Sequence, residues 1–313
     1  MSRRWLWLLV AAVITVAALS MIGDVRKLGD RLAGFEWWAL IAALALALGN
    51  YVMRFGRWQL YLRRQQVSVP VASSAIVFGA GLSLSITPAK LGELVKSYLL
   101  REMHDTPAPR TAPIVVAERV TDLIALLVLA IIGVGVYGVD PTLVAVAGAV
   151  IGVGLVLLAW PTPTHGLIDL VTRPKRINKL REPLHETLRG LGALCRPVPL
   201  IVATLIAIPA WGLECVGFAL ICNAFPGAHV DLGLAMVIYA GTTIAGALSF
   251  LPGGLGVTEG AMTLALVEGA AKLDRATAVA ATLLTRLATL WFAVAIGVIL
   301  LAVARRRIAS RSG

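Results

Sequence analysis

The sequence predicts an all-α, polytopic membrane protein of about six full spans plus two re-entrant helical hairpins, related as an inverted repeat. About eight or more spans is the alternative, should each hairpin cross fully. Three observations carry this reading. Of 313 residues, 58% are hydrophobic and 14% charged, with a mean hydropathy of +0.86; soluble domains sit near about 45–50% apolar and about 25% charged. Several apolar runs reach the roughly 18 residues that a span requires. Two further runs are broken by proline and glycine at matching places, SITPAKLG at 85–92 and SFLPGGLG at 249–256. The runs are continuous rather than alternating, which argues against an outer-membrane barrel. The chain therefore reads as one integral membrane domain, 1–313.

Taken in order, Trp5–Ile22 follows two arginines and forms the first expected span. Its flanks resemble a secretory signal, and SRR hints at a twin-arginine signal. The long apolar run without a clear A-x-A site favours a retained helix. The second span, Trp37–Met53, enters through a tryptophan pair suited to the interface and exits into RFGRWQLYLRR. The segment 71–100 fits a single span poorly. Pro88 interrupts it, and the ten residues of LGELVKSYLL make about 15 Å of helix, half the hydrocarbon thickness. Spans follow at Pro113–Tyr137 and Pro141–Trp160, then a polar loop, 161–198, holding RPKRINKLREPLHETLRG. That loop is expected to carry a short surface helix with basic residues toward lipid headgroups. Pro199–Ile221 is the next span, 231–270 is the second broken region, and Arg275–Ala304 is the last span.

The two breaks share Ser, Pro, Leu and Gly in register, and a glutamate follows each. Arg119 lies 31 residues after Pro88 and Arg286 lies 34 after Pro252. The repeats are accordingly placed at 71–138 and 231–304, each a hairpin followed by a span. With both termini cytoplasmic, re-entrant hairpins put every strongly basic loop inside, as the positive-inside rule asks. The hairpins then enter from opposite faces. Broken backbone at that depth needs protein or water around it, so they are expected to line a cavity.

The net charge of +11 reads as orientation signal and contact with anionic lipid, with no nucleic acid implied. Within the spans, ionisable residues are functional candidates, since an unpaired charge near the helix centre costs roughly 2.5–3.5 kcal/mol. Lys90, Glu93 and Lys96 form an i,i+3 ladder behind Pro88 and Gly92. The bland alternative has them snorkel at the interface. Glu118 and Asp122 share a helix face, and Arg119 can reach Asp122. A structural ion pair is the competing reading, and Arg119 suits an anion because of its planar fork. Arg286 has no acid near it in sequence, and Glu259 is its natural partner. Glu259 could equally serve the helix N-terminus. Gly253, Gly254 and Gly256, after Pro252, permit tight backbone with free N–H groups. Glu214 stands alone in its span and is expected to make a structural hydrogen bond. Cys195, Cys215 and Cys222 have no CxxC spacing, and the four histidines no ligand spacing. No cofactor or metal is expected, and no nucleophile or phosphate-loop motif appears.

These residues resemble the lysylphosphatidylglycerol synthase transmembrane-region family, the flippase-like membrane proteins. The carriers are NYVMRFGRW at 50–58, PAKLGE at 88–93, ERVTD at 118–122, LPGGLGVTE at 251–259 and LTR at 284–286. One departure is Lys90, where the family often has arginine. In fused members the resembling region moves aminoacylated phosphatidylglycerol, while a separate soluble domain performs aminoacyl transfer. No such domain is expected here. Stand-alone relatives are associated with polyprenyl-linked and hopanoid-type lipids. The resemblance implies an inner-membrane lipid transporter rather than an enzyme. Lys90, Lys96, Arg119 and Arg286 would neutralise phosphate, and Glu93, Glu118, Asp122 and Glu259 would pair with them. Two other classes remain: a membrane enzyme using Glu118 and Asp122 on a headgroup, or a scaffold for a lipid-modifying partner. Membrane lipids are the expected partners, with lipid-modifying enzymes as further candidates.

Overall fold

The computed structural model describes residues 25–137 and 181–312, with isolated positions between 142 and 152. The expected spans at Trp5–Ile22 and Pro141–Trp160, and most of the basic loop's first half, lie outside the described residues. Among those described, every regular element is helical. They are α1 (Val25–Ala33), α2 (Trp38–Arg64), α3 (Val71–Leu82), a 3₁₀ turn (Pro88–Leu94), α4 (Val95–His104) and α5 (Ala108–Tyr137). After the gap come α6 (Arg181–Leu194), α7 (Pro197–Asn223), α8 (Leu232–Leu248), a second 3₁₀ turn (Pro252–Gly254), α9 (Val257–Glu268) and α10 (Arg275–Arg286). A π-turn, Leu287–Trp291, joins α10 to α11 (Phe292–Ser312).

Four helices are long and apolar enough to cross a membrane: Trp38–Arg64, Ala108–Val136, Pro197–Asn223 and Arg275–Ser310. These are the four expected spans that fall within the described residues. The two broken regions turn in 3₁₀ at Pro88 and Pro252. Their arms are shorter: α3 has 12 residues and α8 has 17, or about 18 and 26 Å against a hydrocarbon core of about 30 Å.

One expected boundary is corrected. The apolar run ends at Met53, which would leave Arg54–Arg64 outside the span. The helix instead continues to Arg64, and Arg54 and Arg57 are buried inside the protein. They fall on the buried stripe that starts at Ala39 and continues through Ala43, Ala47, Asn50, Trp58 and Tyr61, the spacing of one helix face. The alanines of that stripe let α7 approach closely, with Gly217 against Ala43. Asn50 Nδ2 donates to the Ala210 carbonyl at 2.8 Å.

Packing crosses between the halves. α3, the first arm of hairpin one, lies on α11, while α8, the first arm of hairpin two, lies on α5. α2 and α7 pack on each other, and the two 3₁₀ breaks touch. Glycines make both crossed contacts possible, Gly133 in α5 and Gly297 in α11, each 45 residues after its proline. A Cβ at Gly133 would sit 2.6 Å from the Gly233 carbonyl oxygen, and one at Gly297 would strike the Leu82–Ser83 backbone. Backbone cannot yield as a side-chain tip can. Gly297→Val should therefore lower stability by about 1–3 kcal/mol, read as thermal unfolding of the purified protein in detergent. Gly241→Ala, which meets nothing within 4 Å, should leave the melting temperature nearly unchanged.

The half of the basic loop that is described forms the expected helix, α6, which packs on α5 through buried Leu191 and Leu194. Cys215 and Cys222 are buried in the apolar core, as small packing residues. At the start of α10, Asp274 caps the helix: its carboxylate accepts from the Thr277 amide at 3.1 Å and the Thr277 hydroxyl at 2.6 Å. Arg31 of α1 stands 3.2 Å away. Burial pushes the Asp274 carboxyl up, but the Thr277 hydrogen bonds and Arg31 outweigh it and hold the group below its ordinary value. A depressed carboxylate contributes stability that is whole above the ordinary carboxylate range, and loses it as pH falls through the folded value. Asp274→Ala should cost about 1 kcal/mol at neutral pH. The difference in melting temperature from wild type should close as pH drops below about 4.

Candidate functional site

Pro88 opens the first 3₁₀ turn out of extended backbone at Thr87. The turn is locked by Thr87, whose hydroxyl donates to the Leu84 carbonyl and accepts the Gly92 amide, both at 2.7 Å. Gly92 is required by closeness: a Cβ there would lie 2.6 Å from Leu84 Cβ and 2.7 Å from Thr87 Cγ2. The turn aims Glu93 inward, where it is buried and accepts from Ser85 Oγ at 3.2 Å. The backbone of Lys90 lies in this turn, and its side chain is outside the described residues.

Around Glu93 a network of buried charges assembles from three helices. Lys96 lies 3.1 Å from Glu93 and 2.5 Å from Glu118, with its ammonium 4.8 Å from the Trp58 ring centroid. Arg119 reaches Glu93 at 3.4 Å and Asp122 at 3.1 Å. Asp122 Oδ1 also accepts from Arg57 Nη2 at 2.7 Å and Trp211 Nε1 at 3.0 Å. Arg57 donates to Thr121 Oγ1 at 3.0 Å. Arg54 stands 3.8 Å from Glu93, and its guanidinium lies 5.9 Å from the Trp211 ring. Removing so many ions from water is costly unless each is paired, and here the pairing is mutual.

The second break is built differently. Gly253, Gly254 and Gly256 all have positive φ, the conformation glycine takes without a Cβ penalty. Glu259 reaches back to the Gly256 amide at 2.7 Å, the N3-to-N-cap half of a capping box. Its other oxygen accepts from Arg286 Nε at 2.6 Å, while Arg286 Nη2 donates to the Gly253 carbonyl at 2.7 Å. Arg286 thus clamps both the turn and the acid after it. Directly beyond Arg286 the π-turn leaves the Thr289 carbonyl to Tyr51, which donates to it at 2.9 Å.

Where the two breaks meet, a cavity of about 260 Å³ opens. Its polar wall holds Tyr51, Arg54, Arg119, Asp122, Trp211, Glu214, Tyr239 and Arg286, with Gly253 and Gly254 at the second break. Tyr239 donates its hydroxyl to Glu214, so the hydrogen bond expected of Glu214 is present, and the residue also faces the cavity. Leu123, Leu126, Leu248, Phe250, Leu251 and Leu290 complete the lining with apolar surface. Phe250 is 68% exposed and has a positive φ of 54°, an unusual backbone for a bulky residue.

Of the residues singled out from sequence, Arg119, Asp122, Arg286, Gly253 and Gly254 line this cavity. Glu93 and Glu259 stand behind it as partners of Arg119 and Arg286. Pro88, Gly92, Pro252 and Gly256 shape the turns. Lys96 and Glu118, expected in the path, are 1% and 0% exposed and are enclosed together away from the lining. A buried Lys96 also rules out the interfacial snorkel. Sequence reading missed Arg54, Arg57, Tyr51, Trp211 and Tyr239. Arg54 and Arg57 were visible as cations three apart, in phase with Asn50 and Tyr61, but were credited to orientation.

The model of the family described as lysylphosphatidylglycerol synthase TM region matches residues 5–297. A relative described as a UPF0104 membrane protein, from Methanothermobacter thermautotrophicus, is 24% identical over 324 aligned positions, covering 95% of each chain.

Proposed function

We propose that this chain, which belongs to the lysylphosphatidylglycerol synthase transmembrane-region family, moves a charged lipid between the leaflets of the cytoplasmic membrane. The observation that carries this is a cavity lined both by guanidinium and carboxylate groups and by exposed Leu248, Phe250 and Leu251. A headgroup suits the charged groups and acyl chains the apolar ones. The reading places the cavity between two re-entrant hairpins of an inverted repeat. The short arms, the breaks in contact and the crossed pairing of α3 with α11 and α8 with α5 support that plan. So does the matched pair of glutamate–arginine bridges, Glu93–Arg119 and Glu259–Arg286, spaced 26 and 27 residues apart.

In this mechanism Arg119 and Arg286 trade part of their bonding to glutamate for the lipid phosphate as it passes, so charge is never bare. The termini lie in the cytoplasm, and the phospholipid, polyprenyl-linked or hopanoid-type identity of the lipid is set by what the cavity admits. Reconstitution into liposomes tests the proposal. Headgroup-labelled lipid in the inner leaflet should become accessible to an external quencher faster than in protein-free vesicles, with its mass unchanged. No acceleration for any labelled lipid would refute transport, and a lipid of altered mass would move the reading to headgroup chemistry.

A further inference from the structure

The polarity of the cavity changes from its interior to its rim. Arg54, Asp122 and Glu214 are buried in the lining, and Arg119 and Arg286 are half-buried. The exposed residues of the lining are Ala247, Leu248, Phe250 and Leu251, all apolar and all from the end of α8 and its link to the second break. An entrance reached from water would expose polar groups. Large apolar side chains exposed around a charged interior suit a hydrocarbon surrounding instead. Length agrees with this: α8 and α9 have 17 and 12 residues, about 26 and 18 Å against a core of about 30 Å. On the re-entrant reading, the link between them lies at hydrocarbon depth.

Within that link Phe250 is exposed at a positive φ of 54°, a backbone that is costly for a bulky side chain and persists only where its surroundings fix it. Ser249 fixes it: its hydroxyl donates to the Gly246 carbonyl at 2.7 Å and accepts the Leu251 amide at 3.2 Å. A proline break does not require this. At the matching place in the first break, Ser85 turns inward to donate to Glu93 at 3.2 Å, and Ile86 is buried beside Gly253 without a positive φ. We infer that Ala247–Leu251 is a lateral portal through which the acyl chains of a phosphate-bearing lipid leave the cavity, and that Phe250 is a positioning residue held out to seat them. This rests on the lipid-moving reading and deepens it by naming the exit and the side chain that orders the chains there. Its test reads where a lipid sits, not how fast it moves.

The full chain carrying Cys195→Ser and Leu248→Cys is labelled with bimane and placed in liposomes; Cys215 and Cys222 are buried and stay unlabelled. Leu205→Cys, exposed on α7 and outside the lining, is the control. Iodide in the water should leave the Leu248→Cys label almost unquenched. Phosphatidylglycerol or phosphatidylethanolamine with a nitroxide on its acyl chain should quench that label about twofold or more beyond diacylglycerol with the same nitroxide, because the charged lining retains a phosphate headgroup. At Leu205→Cys the phospholipids and the diacylglycerol should quench alike. Phe250→Gly keeps the backbone without a Cβ penalty. It should therefore melt no lower than its parent, while the phospholipid excess falls to the level of the control. Quenching by iodide, no quenching by any nitroxide lipid, or no phospholipid excess over the control would overturn the portal. A lower melting temperature in Phe250→Gly, or a full excess retained there, would overturn the role given to Phe250. An excess that persists in vesicles where no lipid is moved would refute transport and leave the portal standing.

Discussion

Glu118→Ala should destabilise the protein by about 3–5 kcal/mol, the largest loss of stability expected from any single change described here. Glu118 is wholly buried and its carboxylate lies against the Lys96 ammonium at 2.5 Å. Truncation leaves that buried ammonium beside Glu93, Trp58 and Phe78 with one of its two carboxylates gone. The cost comes from the stranded charge and not from the intrinsic worth of the pair. The double variant Lys96→Met/Glu118→Leu should therefore recover most of the loss, because it removes both ions and keeps the volume. Denaturant or thermal unfolding in one detergent would show it. If the double variant proves less stable than Glu118→Ala, the network stabilises by attraction and this account is wrong.

Arg119→Ala combined with Arg286→Ala should reduce lipid movement in liposomes to within a few-fold of the protein-free rate, while each single change leaves a measurable remainder. Both arginines line the cavity, and each is held by a glutamate from the neighbouring break. Arg286 makes two short bonds, to Glu259 and to the Gly253 carbonyl, so its removal also loosens the turn. Bonds to a charged group are worth about 1.5–3 kcal/mol each, which converts to roughly tenfold or more per lost contact. Arg286→Lys separates the two roles. It preserves charge for the anion but cannot bond Glu259 and Gly253 as a fork does. Movement close to wild type in Arg286→Lys would assign this position to charge alone.

The spans and breaks were legible because each rests on a local signal. Apolar runs mark Pro113–Tyr137 and Pro199–Ile221, and Pro88 and Pro252 cannot continue a helix. The Arg119–Asp122 pair was legible for the same reason, since i,i+3 neighbours meet on any helix. The Arg286–Glu259 pair followed from a charge that needed a partner. Arg54 and Arg57 were hidden because charge alone does not distinguish a cytoplasmic anchor from a buried ion. Only the approach of α5 and α7 decides that, by placing Asp122 and Trp211 against α2. Lys96 was read toward the ligand for the converse reason. Its enclosure depends on Trp58 and Phe78, residues 38 and 18 positions away. The cavity itself, made from six separate stretches of the chain, has no local signature.

Because α3 rests on α11, the first broken region waits for a helix that follows it in the chain by about two hundred residues. Until α11 has left the ribosome, that region has no permanent neighbour on this flank. A halted chain lacking α11 would leave Gly79 and the Leu82–Ser83 backbone without their cover, a clear mark for membrane proteases. Copies halted before α11 should therefore be degraded faster than copies that carry it.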